Sequence, residues 1–495
     1  MTEIELKFQV PEASRGAVLR AVATKGAHRT RLQAVYFDTP DRRLAATGIA
    51  VRMRLEGDHW VQTAKAGDPH AMVRHEHNVP VAAGLDGEPP ALDLSRHDGT
   101  PAGTLIRRAL REEAPVPLFR TDIERTHRVL RLKEGRVELA LDIGRITAEG
   151  REWPVHELEI ELVDGDPRCV IQAASDWVGR HGLWLDVRSK AERGDRLARD
   201  ELGSMPTHAA PVVLAARAAG AALVQALVKE GLRHLLPNAA EVADAAGSPE
   251  HVHQVRVALR RLRHALRLAE VLGGAVDPAC QGALADAYHG LSGLRDRDAV
   301  AASWSPVLEQ AGGPAVDLPP LPQGPSAASV LQAPDFTQAL LALLALQLRP
   351  DAVADGSAAP HPKRAAHAEA MDALAKQLSR WHRQVRRAAR HPQELDDAER
   401  HRLRRRVKRL ADVTEFVGTL YPGKAVRRYL RRLEAAKEAL GQLTDLQVAT
   451  TLYRAAASND PRAWFAVGWL TARQHAVVAA STGVLRRLAR AEPYW

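Results

Sequence analysis

The chain has 495 residues, 45% of them apolar, a length that allows about two to four domains. It holds no apolar run near the roughly 18 residues of a membrane span, Ala339 to Leu346 stopping well short, and Cys169 and Cys280 carry no ligand or disulfide spacing. Charge is split unevenly: residues 1–203 hold 31 Lys and Arg against 33 Asp and Glu, whereas residues 204–495 hold 38 against 27, so the second half suits a polyanion.

Glu3-Ile-Glu-Leu-Lys7 opens the chain as a strand, so no secretory leader is expected and a cytoplasmic location is the default. Alternation puts Glu3, Glu5 and Lys7 on one face and Ile4, Leu6 and Phe8 on the other. The two carboxylates then sit roughly 6–7 Å apart, a spacing that a divalent cation between them would relieve. Further alternating runs predict strands at 49–56, 59–65, 72–80, 119–131, 136–143 and 155–163, with helices at 12–26, 101–113 and 168–182. Many strands with few helices indicate a sheet closed on itself. A Gly/Pro joint at 203–211 ends this half.

From Val212 the pattern is helical, broken by loops at 311–334 and 350–362. An internal repeat spans the loops. His253-Gln-Val-Arg256-Val-Ala-Leu-Arg260-Arg261-Leu262 returns as His401-Arg-Leu-Arg404-Arg-Arg-Val-Lys408-Arg409-Leu410, an offset of 148. Leu291-Ser-Gly-Leu-Arg295-Asp296 returns more weakly as Leu440-Gly-Gln-Leu-Thr444-Asp445, an offset of 149. Nearly equal offsets indicate a duplicated helical unit, about 212–310 and 335–495.

Taken singly, each strand of the first half is an ordinary amphipathic strand with a wet face. Taken together they are costly, because like charges recur at i, i+2 in Glu3/Glu5, Arg52/Arg54 and Glu157/Glu159/Glu161. Turning those rows inward places carboxylates and cations in one cavity, which suits a triphosphate and its metal.

The Glu3-x-Glu5-x-Lys7 start, Tyr36-Phe37-Asp38-Thr39, Arg52-x-Arg54, Thr63-x-Lys65, Arg74-x-Glu76, Asp142, Glu157-x-Glu159-x-Glu161 and Ser189-Lys190 resemble the CYTH family of triphosphate tunnel metalloenzymes over residues 1–203. The resemblance implies an antiparallel eight-stranded β-tunnel that hydrolyses inorganic triphosphate or thiamine triphosphate, or acts as an adenylate cyclase. It implies that Glu3, Glu5, Glu159 and Glu161 bind Mg²⁺ or Mn²⁺. Lys7, Arg52, Arg54, Lys65, Arg125 and Lys190 would grip phosphates, and Glu76 and Asp142 would hold a second metal or orient water. Many members have a further acid where this chain has Asn78, which leaves the second metal open. Inorganic triphosphate is the preferred substrate, since no aromatic cluster marks a thiazole or adenine pocket.

On a helical wheel His253, Arg256, Arg260, Arg263 and Arg267 fall within about 80°, opposite Leu259, Leu262 and Leu266. The row holds no acidic i+4 partner, and His401, Arg404 and Lys408 repeat it. These motifs resemble the CHAD family over residues 212–495. That resemblance implies an all-α pair of four-helix bundles that binds polyphosphate through His253, Arg256, Arg260, Arg263, His401, Arg404 and Lys408, with Asp296 and Asp445 bracing the cations. The expectation is an α+β multidomain inorganic triphosphatase, cytoplasmic and associated with polyphosphate granules. The alternative is a non-catalytic polyphosphate-binding protein. Nucleic acid is disfavoured, because the helical half has few aromatics for stacking.

Overall fold

The computed structural model describes residues 2–68, 70–82, 89–201, 203–214, 220–274, 277–291, 296–319, 324–348 and 364–495. The loop at 350–362, residues 292–295 of the weaker repeat and the side chain of Asp296 lie outside the described residues.

Eight long strands build the N-terminal half: β1 (Thr2–Gln9), β2 (His28–Asp38), β3 (Ile49–Glu56), β4 (His59–Ala66), β5 (Val73–Val81), β6 (Val116–Leu132), β7 (Gly135–Ala148) and β8 (Arg151–Gly165). They lie in the order β5-β4-β3-β2-β6-β7-β8-β1, every pairing antiparallel, and a β1–β5 pairing closes the barrel. A two-residue β9 (Trp184–Leu185) adds to β1.

The period-two pattern decides what faces inward. Along β8, Leu158 and Ile160 are fully buried on the outer side, where α4 (Arg168–His181) supplies Cys169, Val170, Ala173, Ala174, Trp177 and Val178. Each such fully buried aliphatic side chain contributes about 2 kcal/mol. On the opposite wall α2 (Arg43–Ala46) and α3 (Pro101–Leu110) cover Ile49, Val51, Ala64 and Ala66 with Leu44, Ala102, Ile106 and Leu110. The charged residues of the same strands are left for the interior.

Two elements depart from the sequence reading. The sequence reading has no strand at β2 because His28–Arg31 is a polar run without alternation, yet β2 pairs with both β3 and β6. The helix expected at 12–26 is a short 3₁₀ turn at Glu12–Ser14 followed by α1 (Arg15–Val22). The reading also gives no helix at α5 (Lys190–Ala198), which is poor in apolar residues. Ser189 caps it by accepting from the Glu192 amide. Gly194 at its centre is required, since a Cβ there would lie 2.2 Å from the Phe119 ring.

The rest is helical: α6 (Gly220–Ala243), α7 (Pro249–Val271), α8 (Pro278–Gly290), α9 (Asp296–Gln310), α10 (Ala327–Leu331), α11 (Pro334–Gln347), α12 (Arg364–Ala388), α13 (Asp397–Val417), α14 (Gly423–Ala456) and α15 (Ala463–Ala489). Helices α12–α15 share a core that includes Leu374, Leu378, Trp381, Leu403, Val407, Leu410, Tyr429, Leu433, Leu485 and Leu488. No described helix is long and apolar enough to cross a membrane.

The compact units are not two consecutive stretches of chain. Met1–Thr207, Arg233–Val255 and Ala328–Leu348 form one; His208–Leu232, Arg256–Ala327 and Arg349–Trp495 form the other. Residues 233–255 and 328–348, read from the sequence as part of the helical half, therefore pack with the barrel.

Candidate active site

The barrel interior is a cavity of about 320 Å³. All twelve tunnel residues singled out from the sequence line it: Glu3, Glu5, Lys7, Arg52, Arg54, Lys65, Glu76, Arg125, Asp142, Glu159, Glu161 and Lys190. Strand register explains the gathering. Glu5 faces Glu161 and Lys7 faces Glu159 across β1–β8, Lys65 faces Glu76 across β4–β5, and Arg125 faces Asp142 across β6–β7. Lys190 enters from the first turn of α5.

The carboxylates form two separate clusters. Glu3, Glu5 and Glu161 present oxygens all within 4.8 Å of one another, and so do Asp142, Glu157 and Glu159. Glu159, expected from the sequence to share a metal with Glu3, Glu5 and Glu161, groups instead with the second cluster.

That second cluster is neutralised by protein cations. Arg125 holds both oxygens of Asp142 at 2.6 Å and also binds Glu159. Lys190 Nζ lies 2.6 Å from Asp142 and 2.9 Å from Glu159, and it pairs with Glu157, as does Arg193. Burial opposes ionisation of Glu159, but Lys190, Arg125 and Lys7 hold its carboxyl well below the usual range.

The first cluster is not so compensated. Lys65 Nζ contacts both oxygens of Glu3 at 2.8 Å, and Lys7 Nζ lies 2.9 Å from Glu5 Oε1. No ion pair reaches Glu161 among the described residues. Burial, with Glu3 and Glu5 beside it, pushes the Glu161 carboxyl up to about 8. Burial, with Glu5 and Glu76 nearby, pushes Glu3 to about 7 in spite of Lys65. Glu5 Oε1 is buried without a hydrogen bond of proper geometry. Glu76 goes the other way: against burial, Lys65 and Arg52 hold it to about 2, with Lys65 Nζ at 3.1 Å.

Arg52 donates to the Tyr36 hydroxyl at 3.1 Å, and Tyr36 stacks on Phe119 with ring centroids 4.5 Å apart. Arg54 is tied to Glu56 at 2.7 Å. Asn78, at the expected acidic position, accepts from Thr63 Oγ1 at 2.7 Å.

In the helical half, α7 carries His253, Arg256, Arg260 and Arg263, and α13 carries His401, Arg404 and Lys408. Arg256 and Arg263 lie over the Tyr288 ring of α8, 5.9 and 5.5 Å from its centroid. Arg260 donates to Asp412 of α13 at 3.0 Å, so the acid missing within its row comes from the neighbouring helix. Asp412 also meets His264 at 2.8 Å, and Arg261 pairs with Glu415. Burial lowers Arg404, with Asp445 opposing, and lowers His401, with Arg405, Arg404 and Lys408 adding to the effect. Burial with Arg404 and Arg260 pushes Lys408 down to about 7.

Residues 1–194 match the CYTH domain and residues 226–454 match the CHAD domain. The chain joins a CYTH domain to a CHAD domain. An inorganic triphosphatase of Haemophilus influenzae is 27% identical over 166 residues, covering 32% of this chain and 44% of that protein. The chain thus spans less than half the length of that curated relative. The crystal structure of a CHAD domain from the plant Ricinus communis is 29% identical, covering 59% of this chain and 99% of that one, with a TM-score of 0.46. A Hippeastrum protein described as revealing a dominant triphosphatase activity is 18% identical, covering 41% and 98%, with a TM-score of 0.27.

Several charged or ring-bearing residues of the CYTH tunnel have no role in the sequence reading. Glu157 and Arg193 are almost wholly buried, at 1% exposure each, and pair with one another beside Lys190. The i, i+2 row marked Glu157. Nothing in the sequence marked Arg193, which sits in a helix the pattern does not announce. Glu157 and Arg193 lie behind the cavity wall, whereas Tyr36 and Arg74 line the cavity itself.

Proposed function

We propose that the CYTH tunnel is a metal-dependent inorganic triphosphatase, releasing pyrophosphate and phosphate, and that the CHAD half binds polyphosphate. The observation that carries the reading is a carboxylate cluster short of positive charge, set in one cavity with seven Lys and Arg side chains. The donor set fits Mg²⁺ or Mn²⁺: three oxygen ligands close together, one of them a buried oxygen whose 2.9 Å contact with Lys7 is not a well-formed hydrogen bond, and two carboxyls forced toward protonation. Glu3, Glu5 and Glu161 would hold the ion, which when bound neutralises and orients phosphate oxygens. Glu159 stays with Arg125 and Lys190.

Phosphoryl transfer asks the protein mainly for position and charge. Lys7, Arg52, Arg54, Lys65, Arg125 and Lys190 grip the phosphate oxygens and stabilise charge developing on the transferred group and on the leaving pyrophosphate. Glu76, held ionised by Lys65 and Arg52, accepts a hydrogen bond from water aligned with the terminal phosphorus. Asp142 orients Arg125 and Lys190. Tyr36 already stacks on Phe119, which favours a substrate without a thiazole or adenine ring over thiamine triphosphate or ATP.

In the CHAD half the polyanion contacts are His253, Arg256, Arg260, Arg263, His401, Arg404 and Lys408. With a polyphosphate ligand, the protein is placed in the cytoplasm at polyphosphate granules. Purified protein given inorganic triphosphate with Mg²⁺ or Mn²⁺ tests the enzymatic part. Phosphate release that disappears in Glu5→Ala supports it, and an inert wild type removes it, leaving a polyphosphate-binding protein.

A further inference from the structure

The CHAD match begins at residue 226, yet residues 233–255 pack in one compact unit with the barrel. That segment brings two acids to α5 and the residue two before it, Arg188. Glu241, 1% exposed, binds Arg196 through Nη1 at 2.5 Å and Nη2 at 3.2 Å, and lies 3.7 Å from Arg188 Nη1. Asp244 accepts from Arg188 Nη2 at 2.8 Å. Arg188 also clasps both oxygens of Asp186 at 2.9 and 2.8 Å, and the Asp186 amide donates to the Lys7 carbonyl at 3.0 Å. One residue beyond Arg188, Ser189 caps α5, whose first residue is Lys190 and whose Arg193 holds Glu157.

We propose that Glu241 and Asp244 are positioning residues for the tunnel: by fixing Arg188 and Arg196 they hold α5, and with it Lys190, at the phosphate-binding wall. The inference deepens the triphosphatase reading and rests on it for the role of Lys190. Its physical basis is the cost of a buried, unpaired guanidinium. Arg188, just before α5, and Arg196, within it, have almost no access to water, so removing their acids forces them to move toward solvent or toward other carboxylates. Glu157 and Asp186 are carboxylates close to α5, with Asp142 and Glu159 also at Lys190, and they help to set Lys190 and the backbone of Lys7. The barrel's own sequence does not supply this compensation. In the first 203 residues, acids near α5 are already engaged: Asp186 with Arg188, Glu157 with Arg193 and Lys190, Asp195 with Arg42.

The test uses the full chain carrying Glu241→Gln, Asp244→Asn or Glu241→Asp, assayed for triphosphate hydrolysis at a temperature where each is folded by circular dichroism. Binding of imidotriphosphate, which resists hydrolysis, is measured by calorimetry in parallel. The expected result is a loss of about 10- to 100-fold in kcat/KM and weaker imidotriphosphate binding in Glu241→Gln, with Glu241→Asp restoring most of both. If Glu241→Gln does not fold, Asp244→Asn, at the more exposed acid, is read in the same way with a smaller loss. Folded variants with wild-type kcat/KM and wild-type imidotriphosphate affinity would overturn the inference. Should the wild type release no phosphate, the triphosphatase reading fails by itself, and the imidotriphosphate affinities alone decide whether the two acids set the tunnel.

Discussion

Lysines in the two halves of this chain are perturbed in opposite directions. In the CYTH tunnel burial alone would lower Lys65 and Lys190, yet Glu5, Glu3 and Glu76 around the first, and Asp142, Glu157 and Glu159 around the second, raise both. In the CHAD half burial, Arg404 and Arg260 lower Lys408 to about 7, and Asp412 is the acid that opposes them. The tunnel is a mixed cavity of acids and bases, which suits the anion and cation of the proposed function together. The helical rows carry surplus positive charge and gain from an anion alone. Salt should therefore weaken the second site more steeply than the first, since its ligand is held by unmatched charge nearer to solvent.

The sharpest way to break this contrast is to remove the uncompensated acid of the tunnel. Glu161→Gln should lower triphosphate turnover by about 10²- to 10³-fold and weaken Mn²⁺ binding in calorimetry. Polyphosphate binding should stay as it was. Equal loss of both activities would show that the halves do not divide the work as described.

A smaller effect concerns acid stability in the barrel unit. Against burial, Arg188 holds Asp186 to about 2. A carboxyl depressed in the fold adds stability that is complete above its unfolded value, near 4, and is lost as pH falls through about 2. That contribution is about 2 kcal/mol. The stability gap between wild type and Asp186→Asn, read from urea melts, should be widest near pH 6 and close toward pH 2. A gap that widened in acid would contradict the assignment.

The mildest expected effect is at Lys408, which faces Arg404 on its own helix, Arg260 from α7, Asp412 one turn on and Lys437 from α14. As a base lowered in the fold, it is charged below about 7, and the fold gains stability as pH rises from about 7 toward the ordinary lysine value. Polyphosphate binding needs the charged form, so affinity should fall a few-fold, on the order of one charge contact, between pH 6 and pH 8. Lys408→Arg should flatten that slope. His401, also lowered, adds to the same trend and is separated by His401→Asn.

Much of the tunnel was legible because the period of a strand is two: once Glu3 and Glu5 share a face, the chain has one inside and one outside, and Leu158 and Ile160 confirm which is which. The same rule, with the family resemblance supplying Arg125 and Lys190, picked out twelve residues that line the cavity. It could not divide them. Glu159 belongs with Asp142 and Glu157 because Arg125 and Lys190 lie on that wall, a fact of barrel closure and not of spacing. The strand β2 and the helix α5 were hidden for a shared reason: His28–Arg31 and Lys190–Ala198 are mostly polar, and their structure comes from neighbours. Arg260 shows the same limit in the helical half. Its partner Asp412 is 152 residues away, so a row that looks unpaired in sequence is partly paired in space.

The claim on which the rest depends is that Glu3, Glu5 and Glu161 share a divalent cation that the reaction requires. Phosphate release from inorganic triphosphate by the purified full chain, followed with Mg²⁺ or Mn²⁺ and after chelation, tests it directly. The account predicts one pyrophosphate per phosphate released, turnover abolished by chelation and restored by either metal. Turnover that persists without metal, or no turnover with it, would contradict the account.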